Sequence, residues 1–196
     1  MIIGLTGTMA SGKDVISDIL KRKGFAYLSL SDEVREEAKA RGIELTRENL
    51  QLLGNEMRKN EGNAILAQRI LRKVTDPQKH YIINGIRNTS EIQELKIWPS
   101  FYLIAVDSPQ QMRFQRMVTR NRPSDPKNYY DFMKSDAIDQ GEGQGEEGQQ
   151  TNACMKLADY HLFNEFSMER LVDKVTFMIQ QIINKDMLSK NSGTVV

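Results

Sequence analysis

The amino end constrains this chain more than any other stretch. Ile2-Ile3-Gly4-Leu5-Thr6 is short, apolar and rich in β-prone residues, so it reads as a buried strand. Gly7, four further residues and Gly12-Lys13 follow, and from Val15 apolar residues return at helical spacing as Val15, Ile16, Ile19 and Leu20. A strand, a glycine-bounded loop and a helix, in that order, make a cradle for an anion. Glycine tolerates the dihedrals that turn several backbone N–H groups inward. The first N–H groups of the helix lack internal partners and carry partial positive charge. Lys13 adds a point charge for the β- and γ-phosphates of a nucleotide. The expected phosphate-binding residues are therefore Gly7, Thr8, Met9, Ala10, Ser11, Gly12, Lys13 and Asp14.

Asp14 departs from the usual form of this motif, in which a Ser or Thr hydroxyl after the lysine meets Mg²⁺. A carboxylate is a hard oxygen ligand and can hold the ion directly or through water. Its other reading is electrostatic, as an acidic residue at a helix N-terminus. Asp14 is the expected metal residue.

Composition sets the limits. The chain has 196 residues, enough for one domain with a real core. Lys and Arg number 27 against 26 Asp and Glu, a net charge of +1, which gives no bulk attraction to nucleic acid or an anionic membrane. A single cysteine, Cys154, excludes an internal disulfide framework and a cysteine-based zinc site and fits a reducing compartment. No apolar run approaches membrane-spanning length, and no signal peptide precedes the first strand. The expectation is a soluble cytoplasmic protein, a monomer or weak homo-oligomer.

Taken in order, a first helix runs from Lys13 to Lys23 and ends at Gly24, and residues 25–30 form a second strand. Strand, helix and strand within thirty residues imply a βαβ unit and a parallel sheet. Ser31-Asp32-Glu33-Val34-Arg35 then lies at the carboxyl end of that strand, where open α/β sheets place ligands. Asp32 reads equally as a helix cap or as a crevice residue, and Arg35, one turn on, faces the same crevice. Residues 32–76 make a helical insertion, with Thr46 capping one of its helices, and suit a substrate-closing subdomain. Residues 80–87 form a third strand that ends in Asn84-Gly85-Ile86-Arg87, with Arg87 able to reach a substrate phosphate. Residues 101–107 are a central buried strand. Behind Ser108-Pro109 a helix carries Arg113, Arg116 and Arg120 on one face, with Arg122 beyond. Like charges stacked so ask for an anion, which a phosphoryl group in transfer supplies. Residues 121–152 read as a lid whose Gly/Glu/Gln segment at 140–148 is expected to be mobile. A fifth strand covers 158–164, a closing helix runs from 168 to 183, and a flexible tail covers 184–196.

These motifs resemble the P-loop kinases of small phosphorylated metabolites, nucleoside monophosphate kinases and dephospho-CoA kinases, over most of residues 1–183. Ser31 to Arg35 is similar to the Gly-Asp-x-x-Arg segment of adenylate kinases, with Ser31 in place of glycine. Asn84 to Arg87 looks like a shortened Asp-Gly-Phe-Pro-Arg without its aspartate. Arg116 and Arg120 fall where those families keep lid-entry arginines. Ala158-Asp159-Tyr160 with Asn164 is similar to the closing strand of dephospho-CoA kinases. Gly12-Lys13-Asp14 is like the loop ending of phage deoxynucleotide kinases and animal phosphomevalonate kinase.

The resemblance implies a single α/β domain over 1–183, with a five-stranded parallel sheet of order 2-3-1-4-5 between helical layers. It also implies an ATP- and Mg²⁺-dependent phosphotransferase with a small phosphorylated acceptor. Lys13, Arg116, Arg120 and Asp32 are its expected catalytic residues, and Asp32, Arg35 and Arg87 bind the acceptor. A (deoxy)nucleoside monophosphate is the first expectation for the acceptor and the 3′-hydroxyl of dephospho-CoA the alternative. A nucleotide-binding regulatory protein with little turnover is the reading from another class.

Overall fold

Strands alternate with helices along the chain, and every strand pairing is parallel. The structure, a computed structural model, describes residues 1–165 and 167–192. Strands β1 (Ile2–Gly7), β2 (Ala26–Ser29), β3 (Tyr81–Ile86), β4 (Phe101–Asp107) and β5 (Tyr160–Phe163) form one five-stranded sheet in the order β2-β3-β1-β4-β5. Parallel neighbours need crossovers, and the crossovers put helices on both faces. Alternate residues of the central strands supply the two cores. Ile2, Ile83 and Leu103 pack beneath helices α2 (Leu30–Ala40), α3 (Arg47–Glu61), α4 (Ile65–Lys73) and α5 (Thr89–Leu95). Ile3, Leu5, Ile82, Ile104 and Val106 pack against α1 (Lys13–Arg22) and α9 (Met168–Ser192).

The remaining helices are α6 (Gln110–Arg120), α7 (Tyr129–Gln140) and α8 (Thr151–Lys156). Met9 of the glycine loop, Met117 of α6 and Phe132 of α7 form a third apolar cluster, which fastens α7 over the loop. Thr46 caps α3 as expected, accepting from the Asn49 N–H at 3.2 Å.

Three expectations are corrected. Helix α2 begins at Leu30 with Ser29 at its N-cap, so Asp32 sits inside the first turn and caps nothing. The 140–148 segment is packed, because its polar groups find distant partners that its composition conceals. Asn88 Nδ2 donates to the Glu146 carbonyl at 2.7 Å and the Gly148 carbonyl at 3.0 Å, and Asn55 Nδ2 donates to Gln144 Oε1 at 2.9 Å. Helix α9 continues to Ser192, past the expected fraying point, because Ile182 packs in the core and Asp186 is buried, accepting from the Tyr102 hydroxyl at 3.3 Å. The last part of the expected tail, 193–196, lies outside the described residues. Among the described residues no helix is long and apolar enough to cross a membrane.

Candidate active site

The carboxyl ends of the central strands bring together the glycine loop after β1, Asn84 on β3, Asp107 on β4 and Asn164 beyond β5. This is the end at which open α/β sheets bind ligands. The loop leaves β1 at Gly7, with φ +137°, where a Cβ would lie 1.9 Å from the Val106 carbonyl oxygen. Only glycine fits there. At Gly12, with φ +110°, a Cβ would meet Asn164 Nδ2 at 2.4 Å. That same amide donates to the Ser11 carbonyl at 2.8 Å.

Other neighbours fix the loop further. Thr8 Oγ1 donates to Asp107 Oδ1 at 2.7 Å, and Arg113 Nη1 donates to the Met9 carbonyl at 3.2 Å. The Met9 and Ser11 carbonyls are thus taken up by neighbouring side chains, and the loop is held in shape directly ahead of the N-terminus of α1.

Lys13 is half-buried and donates to the Gly7 and Thr8 carbonyls, both at 2.7 Å. Burial, and then the charge of Arg87, lower its pKa from 10.5 to about 7. Asp14 is half-exposed, with Oδ2 accepting from Arg122 Nη2 at 2.7 Å and Oδ1 from Asn84 Nδ2 at 3.3 Å. Partial burial alone would raise its pKa, but the Arg122 hydrogen bond and charge outweigh it and hold the carboxyl below 3.8. Asn84 Nδ2 also donates to the Tyr27 hydroxyl at 3.2 Å, while its buried Oδ1 has no hydrogen-bond partner. Among the described residues no cluster of three or more His, Cys, Asp or Glu is placed to hold a metal. A nucleotide-borne Mg²⁺ needs less, since phosphates and water fill most of its shell. One carboxylate beside an unpartnered amide oxygen fits that requirement.

A small cavity of about 40 Å³ is lined, among others, by Ser31, Arg35, Arg47, Arg87 and Gln149. Arg35 and Arg87 therefore line one space. Asp32 is not on its wall; it forms a partly exposed ion pair with Arg35 at 2.8 Å. Arg87 does not pair with Glu91 through its side chain. Its backbone N–H donates to Glu91 Oε2 at 2.8 Å, and its guanidinium binds Asp139 and donates to Gln149 Oε1 at 3.2 Å. Asp139 Oδ1 also accepts from Arg47 Nη2 at 2.9 Å.

Asp139 is fully buried. Desolvation pushes its pKa up, but Arg87 and Arg47 prevail and keep it below 3.8, so it is ionised at neutral pH. Burial, then the Arg87 charge, lower Arg47 from 12.5 to about 10. Asp139 Oδ2 and Arg47 Nε are buried and have no hydrogen-bond partner.

The arginine face of α6 differs from the expected bare anion site. Arg113 is buried, with Nη2 donating to Asp136 Oδ2 at 2.8 Å and Nε to the Ser108 carbonyl at 3.0 Å. Arg120 makes a forked pair with Asp125 at 2.7 and 2.9 Å. Arg116 donates to Ser108 Oγ at 2.9 Å and to the Asn164 carbonyl at 3.1 Å, bracing the far side of the loop. Carboxylates of the following segment therefore answer the repulsion that the helix spacing implies. Sequence reasoning missed Arg47, Tyr27, Asp107, Asp139 and Gln149. Only Asp107 carried a signal, as a carboxylate ending the apolar run of β4.

Comparison with known proteins agrees with this frame. A family model described as an AAA domain matches residues 3–137. The UPF0200 protein of Hyperthermus butylicus is 34% identical over 170 residues, which cover 86% of this chain and 88% of that protein. Among solved structures, a gluconokinase from Sinorhizobium meliloti superposes with a TM-score of 0.53 at 12% identity, covering 95% of this chain and 96% of its own. A shikimate kinase from Aquifex aeolicus does so with a TM-score of 0.50 at 16% identity, covering 92% and 97%. At these identities the structural likeness establishes the fold, a P-loop kinase-like α/β sandwich.

Proposed function

We propose that this chain, which belongs to the UPF0200 family and carries an AAA domain over most of its length, is an ATP- and Mg²⁺-dependent phosphotransferase acting on a small phosphorylated metabolite. One observation carries the reading: the end of β3 joins the glycine loop to the arginine-lined cavity. Asn84 Nδ2 donates to Asp14 Oδ1 at 3.3 Å while Gly85 and Arg87, the next residues along, line the cavity, so a donor phosphate in the loop would lie close to an acceptor in the cavity.

In this reading the backbone N–H groups of residues 8–13 hold the β-phosphate of ATP. Lys13 leaves the Gly7 and Thr8 carbonyls to follow the γ-phosphoryl group. Asp14, with Asn84 Oδ1, would hold Mg²⁺ through its waters; the ion, when bound, offsets charge on the β- and γ-oxygens. Arg116 and Arg120 serve the phosphoryl group in transfer by exchanging their present partners for it, and Arg122 is released when Asp14 turns to the cation. Arg35 and Arg87 seat the acceptor's anionic group. A nucleoside monophosphate and an anionic alcohol of the dephospho-CoA kind both meet that requirement. Asp32 stands off the cavity wall and reaches the acceptor only by leaving Arg35.

The test is ³¹P NMR of the chain with ATP, Mg²⁺ and a panel of phosphorylated acceptors. Transfer to one of them is the expected result; tight ATP binding with no transfer to any would favour a nucleotide-binding regulator. Asp14→Ser should lose the Mg²⁺-dependent rate, and Asn84→Asp added to it should restore part by returning a carboxylate to the strand end. No recovery in the double variant removes the metal role given to this pair.

A further inference from the structure

Asp139 differs from Asp136, its equally buried neighbour on α7, both of whose oxygens accept hydrogen bonds. It arrives from α7, is wholly buried, and meets Arg47 and Arg87, two of the side chains that line the cavity. Only Oδ1 is used. Oδ2 is left without a donor, and on the facing Arg47 the Nε proton is left without an acceptor. An unpaired buried polar atom costs about 1–3 kcal/mol, so two in one contact ask for a further partner. The missing group must accept from Arg47 Nε and donate to Asp139 Oδ2. A hydroxyl does both with one oxygen. A phosphate monoester dianion does only the first, and it would place like charge against a buried carboxylate.

Resting on the phosphotransferase reading above, we propose that Asp139 is a catalytic base and that the group receiving the phosphoryl is an alcohol hydroxyl of an anionic metabolite, seated between Asp139 Oδ2 and Arg47 Nε. The hydroxyl proton passes to Oδ2. The oxygen forms its bond to the γ-phosphorus as the bond from that phosphorus to the β,γ-bridging oxygen breaks, and the electron pair leaves with ADP. Asp139 returns the proton to solvent once the lid opens. The two arginines keep the carboxylate ionised and hold Oδ1, which leaves Oδ2 free to take the proton. A phosphate acceptor needs no such base, because its oxygen is already anionic. The second acceptor chemistry named above is therefore the one this site is built for.

The test separates this inference from the reading beneath it. Wild type and Asp139→Asn are first titrated with MgATP by calorimetry. A wild type that binds none removes the phosphotransferase reading itself. Both are then titrated with inorganic phosphate as a stand-in for an acceptor anion. Loss of the carboxylate should tighten phosphate binding at least tenfold, and equal affinity overturns the proposal, because Asp139 would then not face the seat. Finally, ³¹P NMR compares nucleoside monophosphates with alcohol acceptors such as dephospho-CoA, ribose 5-phosphate and glycerol 3-phosphate. Transfer to an alcohol is expected, and transfer to a monophosphate's phosphate overturns the proposal. With the alcohol acceptor, Asp139→Asn should lose about 10²- to 10⁴-fold in kcat with KM little changed, the range for a general base. Asp139→Glu keeps the charge that the arginines need for folding and should still lose at least tenfold in kcat. A variant that turns over faster than wild type would show the carboxylate merely blocking the seat, and would also overturn the proposal.

Discussion

Glu91 is fully buried and takes four hydrogen bonds. Oε1 accepts from Arg58 Nε at 3.0 Å and Nη2 at 2.9 Å, while Oε2 accepts from the backbone N–H groups of Arg87 at 2.8 Å and Asn88 at 3.0 Å. The residue thus joins α3 to the turn that presents Arg87, and it closes the capping box of α5. Glu91→Gln keeps the volume, so no cavity is created. It removes the charge opposite Arg58, which is only 3% exposed, and sets an N–H₂ group against donors. Removing one partner of a buried ion pair costs about 3–5 kcal/mol, a large share of the roughly 5–15 kcal/mol that holds a domain together. For a chain of this size that corresponds to a fall in Tm of about 6–20 °C. Urea unfolding at 25 °C, followed by circular dichroism, should be run on wild type, Glu91→Gln, Arg58→Met and the double variant. The double should be more stable than the sum of the singles predicts by about 1–3 kcal/mol, since it leaves no unpaired charge. A Gln variant costing under about 1 kcal/mol, or strict additivity, would refute the reasoning.

Gly12→Ala should cost about 1–3 kcal/mol in backbone strain and weaken nucleotide binding at least tenfold, because its Cβ displaces the Asn164 amide that shapes the loop. Gly24→Ala, also at positive φ but with nothing within 4 Å, should be strained yet leave nucleotide affinity unchanged by calorimetry. Lys13 has its pKa lowered to about 7 by burial and the Arg87 charge, and a bound triphosphate opposes both effects. MgATP binding at pH 8 should therefore take up a proton and weaken as pH rises. Calorimetry in buffers of different ionisation enthalpy reads this directly, and heats independent of buffer would contradict it. In the free protein the same shift means that folding gains stability as pH rises from about 7 to 10.5, where the unfolded lysine holds a proton that the folded one has lost. Asp139 acts in the opposite range. Its folded pKa lies below 3.8, so its contribution is complete above that value and is lost as pH falls through the folded pKa. The urea midpoint of Asp139→Asn should accordingly fall less steeply with acid than that of wild type.

The parts of the fold that could be read from residue order are those made by local rules. The β1 strand, the glycine loop and α1 follow from apolar spacing and from glycines whose positive φ values the structure confirms at Gly7 and Gly12. The buried run Phe101–Asp107 is the observed strand β4. What stayed hidden depends on contacts across long stretches of chain. The spacing of Arg113, Arg116 and Arg120 placed them on one face, but nothing local showed that Asp136 and Asp125 answer two of them. The Gly/Glu/Gln segment looked unable to pack, yet its carbonyls satisfy the buried Asn88 amide. Asp139 lies 92 residues from Arg47 and 52 from Arg87, and only the folded sheet brings the three together. Asp32 failed as a cap for a smaller reason, since α2 starts three residues earlier than a cap at Asp32 implies.

The central claim is that the cradle from Gly7 to Asp14 grips the triphosphate of ATP together with its Mg²⁺. Calorimetric titration of wild type and Lys13→Ala with the Mg²⁺ complex of a non-hydrolysable ATP analogue tests it most directly. Wild type should bind saturably, one to one, and Lys13→Ala should lose about 10- to 100-fold in affinity, the worth of one charged hydrogen bond. A wild type that binds no nucleotide, or a Lys13→Ala variant that binds it equally well, would contradict the account.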